Sequence, residues 1–166
     1  VINAVTDGIP RLREIVDEAQ ERARAEGRGT LVVVDELHRW ARTQQDALLP
    51  HVERGTIALC GATTEPPAFA VVGALLSRCR VYALRPLTSD DVREVCERAI
   101  TDTDRGLGNR KLTFDDGALD FLAEQVDGDA RRALVTLETV ANILPSGGTI
   151  TVDALADAMG QRVVGY

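Results

Sequence analysis

Aromatic residues make up only 4% of the 166-residue chain, and its single lysine is Lys111. So few aromatics leave no base-stacking platform of the kind that an RRM or an OB-fold surface presents. One lysine also means one chance at a phosphate-cradling G-x-x-x-x-G-K-[ST] loop, and the segment Gly106-Leu107-Gly108-Asn109-Arg110-Lys111 has the wrong spacing and follows a helical stretch rather than a strand. No apolar run approaches the roughly 18–20 residues of a membrane span. The three cysteines, Cys60, Cys79 and Cys96, are far apart and never form a C-x-x-C pair, which excludes a disulfide framework or zinc ribbon and points to a reducing compartment. The two histidines, His38 and His51, lie in different segments without metal-ligand spacing and read as surface or helix-end residues. A net charge of -7 means that the chain neutralises phosphates poorly by itself, so any nucleic-acid role rests on a local patch or on another part of a larger protein.

What is present suits a globular chain with a real core: 45% hydrophobic and 27% charged residues, with a mean hydropathy of -0.06. The length fits one domain or one domain with a small appendage. The sequence opens at Val1 inside a strand-like run, which reads as a piece of a longer protein. Residues 1–6 predict a short strand, and Leu12, Ile15, Val16, Ala19 and Ala23 recur at helical spacing before Gly27. Leu31-Val32-Val33-Val34 is a continuous run of the kind found in a parallel strand buried on both faces. A helix is predicted over 43–52, a strand over 56–60, a short helix over 71–77 and a strand over 81–84. The alternation is that of a doubly wound α/β sheet.

Pro86 marks a change of architecture. Thr88-Ser89-Asp90-Asp91 caps a helix bearing Val92, Val95, Cys96, Ala99 and Ile100 on one face, and two further stripes (Ala118 to Val126, Ala133 to Leu144) precede a last helix with Val152, Leu155, Ala156 and Met159. The expected organisation is therefore an α/β unit over 1–85 with helices on both faces of a parallel sheet, and an all-α bundle over 86–166.

Four stations could carry chemistry. Asp35 and Glu36 end the 31–34 strand, at the carboxyl edge where open α/β sheets bind ligands. One carboxylate can hold Mg²⁺ through water while the other orients and polarises an attacking water, and Asp35 and Glu36 suit those roles in that order. Thr63 and Thr64 follow the next strand, within reach of the same edge because neighbouring strands lie only about 4.8 Å apart. Arg78, at the end of a short helix, is the residue type that stabilises charge on a transferred phosphoryl group, often from a neighbouring subunit. Arg131 and Arg132 stand in the first turn of a helix, where the dipole disfavours cations unless Asp129 or a bound phosphate is close.

In this order, the stations resemble those of an AAA+ ATPase. Val33-Val34-Asp35-Glu36-Leu37-His38-Arg39, the block Gln44-Gln45-Asp46-Ala47-Leu48-Leu49-Pro50-His51-Val52-Glu53, Gly61-Ala62-Thr63-Thr64-Glu65, Ala74-Leu75-Leu76-Ser77-Arg78 and Gly128-Asp129-Ala130-Arg131-Arg132-Ala133-Leu134 are similar to the replication-associated recombination protein A family, relatives of the Werner-helicase-interacting ATPase. Trp40-Ala41 and Pro66 depart from its usual Phe-Asn and Asn. The resemblance implies a partial AAA+ (RecA-like) sheet followed by a helical lid, with ATP and Mg²⁺ as ligands. It implies Asp35 and Glu36 as the Walker B pair, Asp35 facing Mg²⁺ through water, and Thr63 or Thr64 as sensor 1. Arg78 would be the arginine finger acting in trans, and Arg131 sensor 2. It also implies a homo-oligomeric, DNA-dependent ATPase of the cytoplasm and nucleoid, acting at DNA ends and forks with single-strand-binding protein as a partner and without membrane attachment. The Walker A segment falls outside this chain, so the chain alone is expected to be inactive. The rival expectations are a clamp-loader-like or Holliday-junction branch-migration motor, and a non-hydrolysing AAA+ scaffold that lends Arg78 to a partner.

Overall fold

A computed structural model describes residues 1–160. The chain divides into two compact units, 1–83 and 84–166.

The first unit is a three-stranded parallel sheet, β1 (Ile2–Asn3), β2 (Leu31–Asp35) and β3 (Ala58–Gly61), in the order β1-β2-β3. Ile2 pairs with Val34, and Leu31 to Val34 pair with Ala58 to Gly61. Between β1 and β2 runs α1 (Ile9–Glu26), whose Leu12, Val16 and Ala19 are buried with Ile2, Val32 and Val34. It starts with Pro10 in its first turn, where a missing N–H costs nothing, and stops at Gly27 in the left-handed conformation. β1 is shorter than the predicted 1–6. The Asn3 side chain accepts the Val5 N–H (2.9 Å) and Asp7 accepts the Asn3 N–H (2.9 Å), which turns the chain out of the sheet.

β2 departs from the expectation of a strand buried on both faces. Val32 and Val34 are inside, whereas Leu31 is 62% exposed and Val33 half-buried, so the side-chain alternation of a strand decides burial despite the unbroken apolar run. The helix predicted over 43–52 is two short ones, α2 (Arg42–Asp46) and α3 (Leu49–Glu53). Pro50 is the reason: its ring cannot donate to the carbonyl four residues back, and the helix breaks ahead of it. α4 (Pro67–Ala70) and α5 (Gly73–Leu76) precede Arg78, and residues 81–84 are irregular rather than a strand. They have no ladder partner, and Val81, Tyr82 and Leu84 are exposed.

The second unit holds α6 (Ser89–Thr101), α7 (Ala118–Gln125), α8 (Ala130–Ile143) and α9 (Val152–Gly160) around Val92, Cys96, Leu122, Leu137, Ile150 and Leu155. The α6 cap is reciprocal: the Thr88 hydroxyl accepts the Asp91 N–H and Asp91 accepts the Thr88 N–H. β4 (Thr113–Phe114) and β5 (Thr149–Ile150) add a parallel pair of two residues each, too short to register as periodicity. Arg110, in the segment that fails as a phosphate loop, ends α8 instead: its guanidinium donates to the carbonyls of Ala141 and Leu144 (both 2.6 Å).

Candidate active site

β2 delivers Asp35 to the carboxyl edge of the sheet, and the backbone bends sharply there. Glu36 has φ +55°, in the left-handed region that a non-glycine residue occupies at a cost of about 1–2 kcal/mol. The bend is held at several points. The Glu36 N–H donates to Asp35 Oδ1 (3.0 Å) and its carbonyl accepts the Arg39 N–H (2.8 Å), closing a 3-10 turn over Leu37–Arg39. The Leu37 N–H donates to the Ala62 carbonyl (2.9 Å), and the Ala62 N–H to the Val34 carbonyl (2.9 Å), so the exits of β2 and β3 are laced together. A Cβ on Gly61, at the end of β3, would lie 2.7 Å from Leu37 Cδ2, so a larger residue there makes the buried Leu37 side chain shift. Strained backbone held in place by its surroundings is characteristic of sites where a side chain must be aimed.

The lacing brings Glu36 and Thr63 onto one ring. His38 sits 3.0 Å from Thr63 Oγ1 through Nδ1 and 3.2 Å from Glu36 Oε2 through Nε2, with Glu65 Oε1 further off at 3.9 Å. Thr63 also accepts the Glu65 N–H (3.1 Å), which fixes its hydroxyl oxygen. Asp35, Glu36 and Thr63 are therefore gathered at one edge, while Thr64 is exposed beside them without a hydrogen bond to the cluster. His38 was read from the sequence as a surface or helix-end residue; its side chain is 5% exposed, because the 3-10 turn folds it back between the two loops. His51, in α3, is half-buried.

Arg78 follows α5 and bonds within its own unit, to Glu53 Oε1 (2.6 Å), the Ala74 carbonyl (2.7 Å) and Ser77 Oγ (3.2 Å), and not to Glu36 or Thr63. Gln45 connects the two regions. Buried within α2, it donates to the carbonyls of Trp40 (3.1 Å) and Ala70 (2.9 Å) and accepts the Val72 N–H (2.9 Å). It thus ties the turn after Glu36 to the segment leading into α5. Arg131 is exposed in the first turn of α8, in the second unit, where Asp129 caps the helix by accepting the Arg132 N–H (2.9 Å). Gly128, with φ +78°, lets that cap approach the Leu87 carbonyl, which a Cβ would meet at 2.7 Å.

The edge offers one exposed carboxylate that could face a hydrated divalent cation. Asp35 spends one oxygen on a backbone N–H and its carboxylate is otherwise exposed. Mg²⁺ asks a protein for only one or two carboxylates and keeps water and phosphate for its other positions. No group of three or more metal-ligating side chains occurs among the described residues. No helix among them is long and apolar enough to cross a membrane.

Comparison with known proteins agrees with this fold. Residues 108–166 match the family model of the AAA C-terminal domain. The chain is 47% identical over 163 residues to replication-associated recombination protein A of Escherichia coli, an alignment covering 98% of this chain and 34% of that protein. It is 41% identical over 137 residues to the ATPase WRNIP1 of Dictyostelium discoideum, covering 82% of this chain and 15% of that one. A mutant RuvB of Thermotoga maritima shares the fold, with a TM-score of 0.68 at 20% identity over 96% of this chain and 52% of that structure. The chain spans about a third of the length of the bacterial relatives, at 34–36%. With an α/β unit, a helical unit and 44–47% identity across nearly its whole length, the chain belongs to the replication-associated recombination protein A family of AAA+ proteins.

Proposed function

We propose that this chain supplies the hydrolytic edge, the arginine finger and the sensor-bearing lid of an AAA+ ATPase that maintains replication forks and takes part in recombination. The observation that carries the reading is the Asp35-Glu36 pair at the carboxyl edge of β2, with Glu36 held in a left-handed bend and Thr63, on the neighbouring strand's exit, meeting the same His38 ring. ATP with Mg²⁺, when bound, supplies the phosphoanhydride and its counter-charge, and Asp35 would hold the ion through water. Glu36 would orient a water molecule and accept its proton as the water attacks the terminal phosphorus and the bond to the bridging oxygen breaks, releasing ADP, while Thr63, with Thr64 as its neighbour, contacts the same region by hydroxyl. Arg78 serves a neighbouring subunit, where a guanidinium offsets charge on the transferred phosphoryl group. Its partner Glu53 is a surface ion pair worth about 0.2–1 kcal/mol, weak enough to yield when a subunit docks. Arg131 reports nucleotide to the lid. The names of the relatives support work on replicating and recombining DNA, and the family resemblance supports DNA ends and forks as substrate, single-strand-binding protein as partner, a homo-oligomer, and the cytoplasm and nucleoid as location.

Mixing mutants tests the assignment. In the full-length ATPase, Glu36→Gln and Arg78→Ala each abolish turnover while ATP binding survives. An assembly mixing the two regains activity at interfaces that pair an intact Glu36 with an intact Arg78. Mixtures that never exceed the sum of the separate mutants would refute the assignment in trans.

A further inference from the structure

The nearly enclosed ring of His38 has no role in the mechanism above, yet it touches two of that mechanism's residues from opposite sides. We propose that His38 is a positioning residue that couples Thr63 to Glu36, so that the hydroxyl fixes the ring and the ring fixes the carboxylate; this rests on the reading of the edge as an ATPase site.

The argument is one of hydrogen-bond valence. A carboxylate can only accept, so the Nε2 that faces Glu36 Oε2 at 3.2 Å carries a proton. In the neutral ring, Nδ1 then has only a lone pair, and Thr63, 3.0 Å away, must turn its single O–H toward it. The Thr63 oxygen also accepts the Glu65 N–H (3.1 Å), which holds the oxygen in place while its O–H turns toward Nδ1. Three groups thereby share one arrangement: Thr63 selects the Nε2–H tautomer, and that N–H selects the position of the Glu36 carboxylate. Glu65 Oε1, at 3.9 Å, is too far to compete for it. Without the ring, a half-exposed carboxylate on a strained bend loses its contact with the His38 Nε2 and turns among its rotamers. A misplacement of about 1 Å in a group that orients an attacking water costs up to roughly a hundredfold in rate.

Two readouts test this. In the 166-residue chain, which has only two histidines, imidazole ¹⁵N spectra assign His38 by its loss in His38→Gln. His38 is expected as the Nε2–H tautomer, and Thr63→Val, which removes the donor to Nδ1, is expected to shift its ring nitrogens. In the full-length ATPase, His38→Phe keeps the ring volume but neither bond, and should lower kcat roughly 10- to 100-fold with ATP affinity unchanged. His38→Gln, whose amide offers one donor and one acceptor, should recover part of that loss. An Nδ1–H tautomer or a wild-type kcat in His38→Phe would each overturn the proposal. If His38→Phe does not fold, the tautomer and the Gln and Val variants decide it. Turnover that survives Glu36→Gln would instead overturn the ATPase reading and leave the tautomer measurement standing by itself.

Discussion

Replacing Gln45 by methionine keeps an unbranched side chain of the same reach and removes every hydrogen bond it makes. The Trp40 and Ala70 carbonyls and the Val72 N–H lose their partner, while the Leu37 carbonyl loses a longer bond (3.5 Å) but keeps the Trp40 N–H. The Trp40 carbonyl meets Gln45 in a buried setting and carries the full penalty of a dry unpaired group, about 1–3 kcal/mol. The bonds to Ala70 and Val72 are half-buried, so water can reach those groups and their loss falls at the low end of that range. A buried thioether recovers part of this because no amide has to be desolvated. The net expectation is about 3 kcal/mol, a large share of the roughly 4–12 kcal/mol available to a unit of this size. Trp40 is the chain's single tryptophan and lies in this unit's core, so its fluorescence follows the unit's unfolding. At a urea slope of about 1–1.5 kcal/mol/M, the midpoint should fall by about 2–3 M. Hydrogen exchange in α8, in the other unit, should stay as it was. A midpoint that moves by less than about 0.5 M would refute the claim that Gln45 is the strut of the first unit.

Two further outcomes follow from titrating groups. The N–H and O–H of Thr88 hold the Asp91 carboxyl below the ordinary aspartate range, so its stabilising effect is complete above about pH 4 and lost as the pH falls through the lowered value. Thermal unfolding of wild type and Asp91→Asn should therefore converge as the pH drops from about 5 toward 2, and a gap independent of pH would contradict the cap. Among the thiols, Cys60 is exposed, Cys79 is half-buried with its thiol pushed up by burial, and Cys96 is fully buried with its thiol pushed up to about 11. A thiol-disulfide reagent at pH 8 should label Cys60 fast, Cys79 slowly and Cys96 only in denaturant; labelling of Cys96 at the rate of Cys60 would show that the second unit's core opens.

Much of this architecture is legible from local sequence because local rules govern it. The Thr88 cap, the stripes of α6 to α8 and the Gly27 stop of α1 all act within one or two helical turns, and the structure places them where the periodicity does. The differences arise where a contact distant in sequence decides. Burial on β2 depends on which face its neighbours cover, so Leu31 and Val32, alike in composition, end 62% and 3% exposed. Residues 81–84 have the composition of a strand, but a strand needs a partner, and in this chain they have none.

The same distinction separates the candidate site's visible residues from its hidden ones. Asp35 and Glu36 announce themselves because two adjacent acids close an apolar run at the carboxyl end of a strand, a pattern that can be read within six residues. His38 and Gln45 carry no such mark, since a polar residue in a short turn or helix is ordinary. Their partners are Thr63, 25 residues on, and Ala70 and Val72, 25 and 27 residues on. What makes each of them informative is burial with every polar atom used, a property of the assembled loops alone. The left-handed bend at Glu36 belongs to the same class: nothing in the residue type predicts it, and only the bonds from Leu37 to Ala62 and from Ala62 to Val34 oblige the chain to turn there. Candidate residues for chemistry can thus be picked out by type and spacing, whereas the buried polar groups that brace them are found by asking which of them are paired and across what distance in the chain.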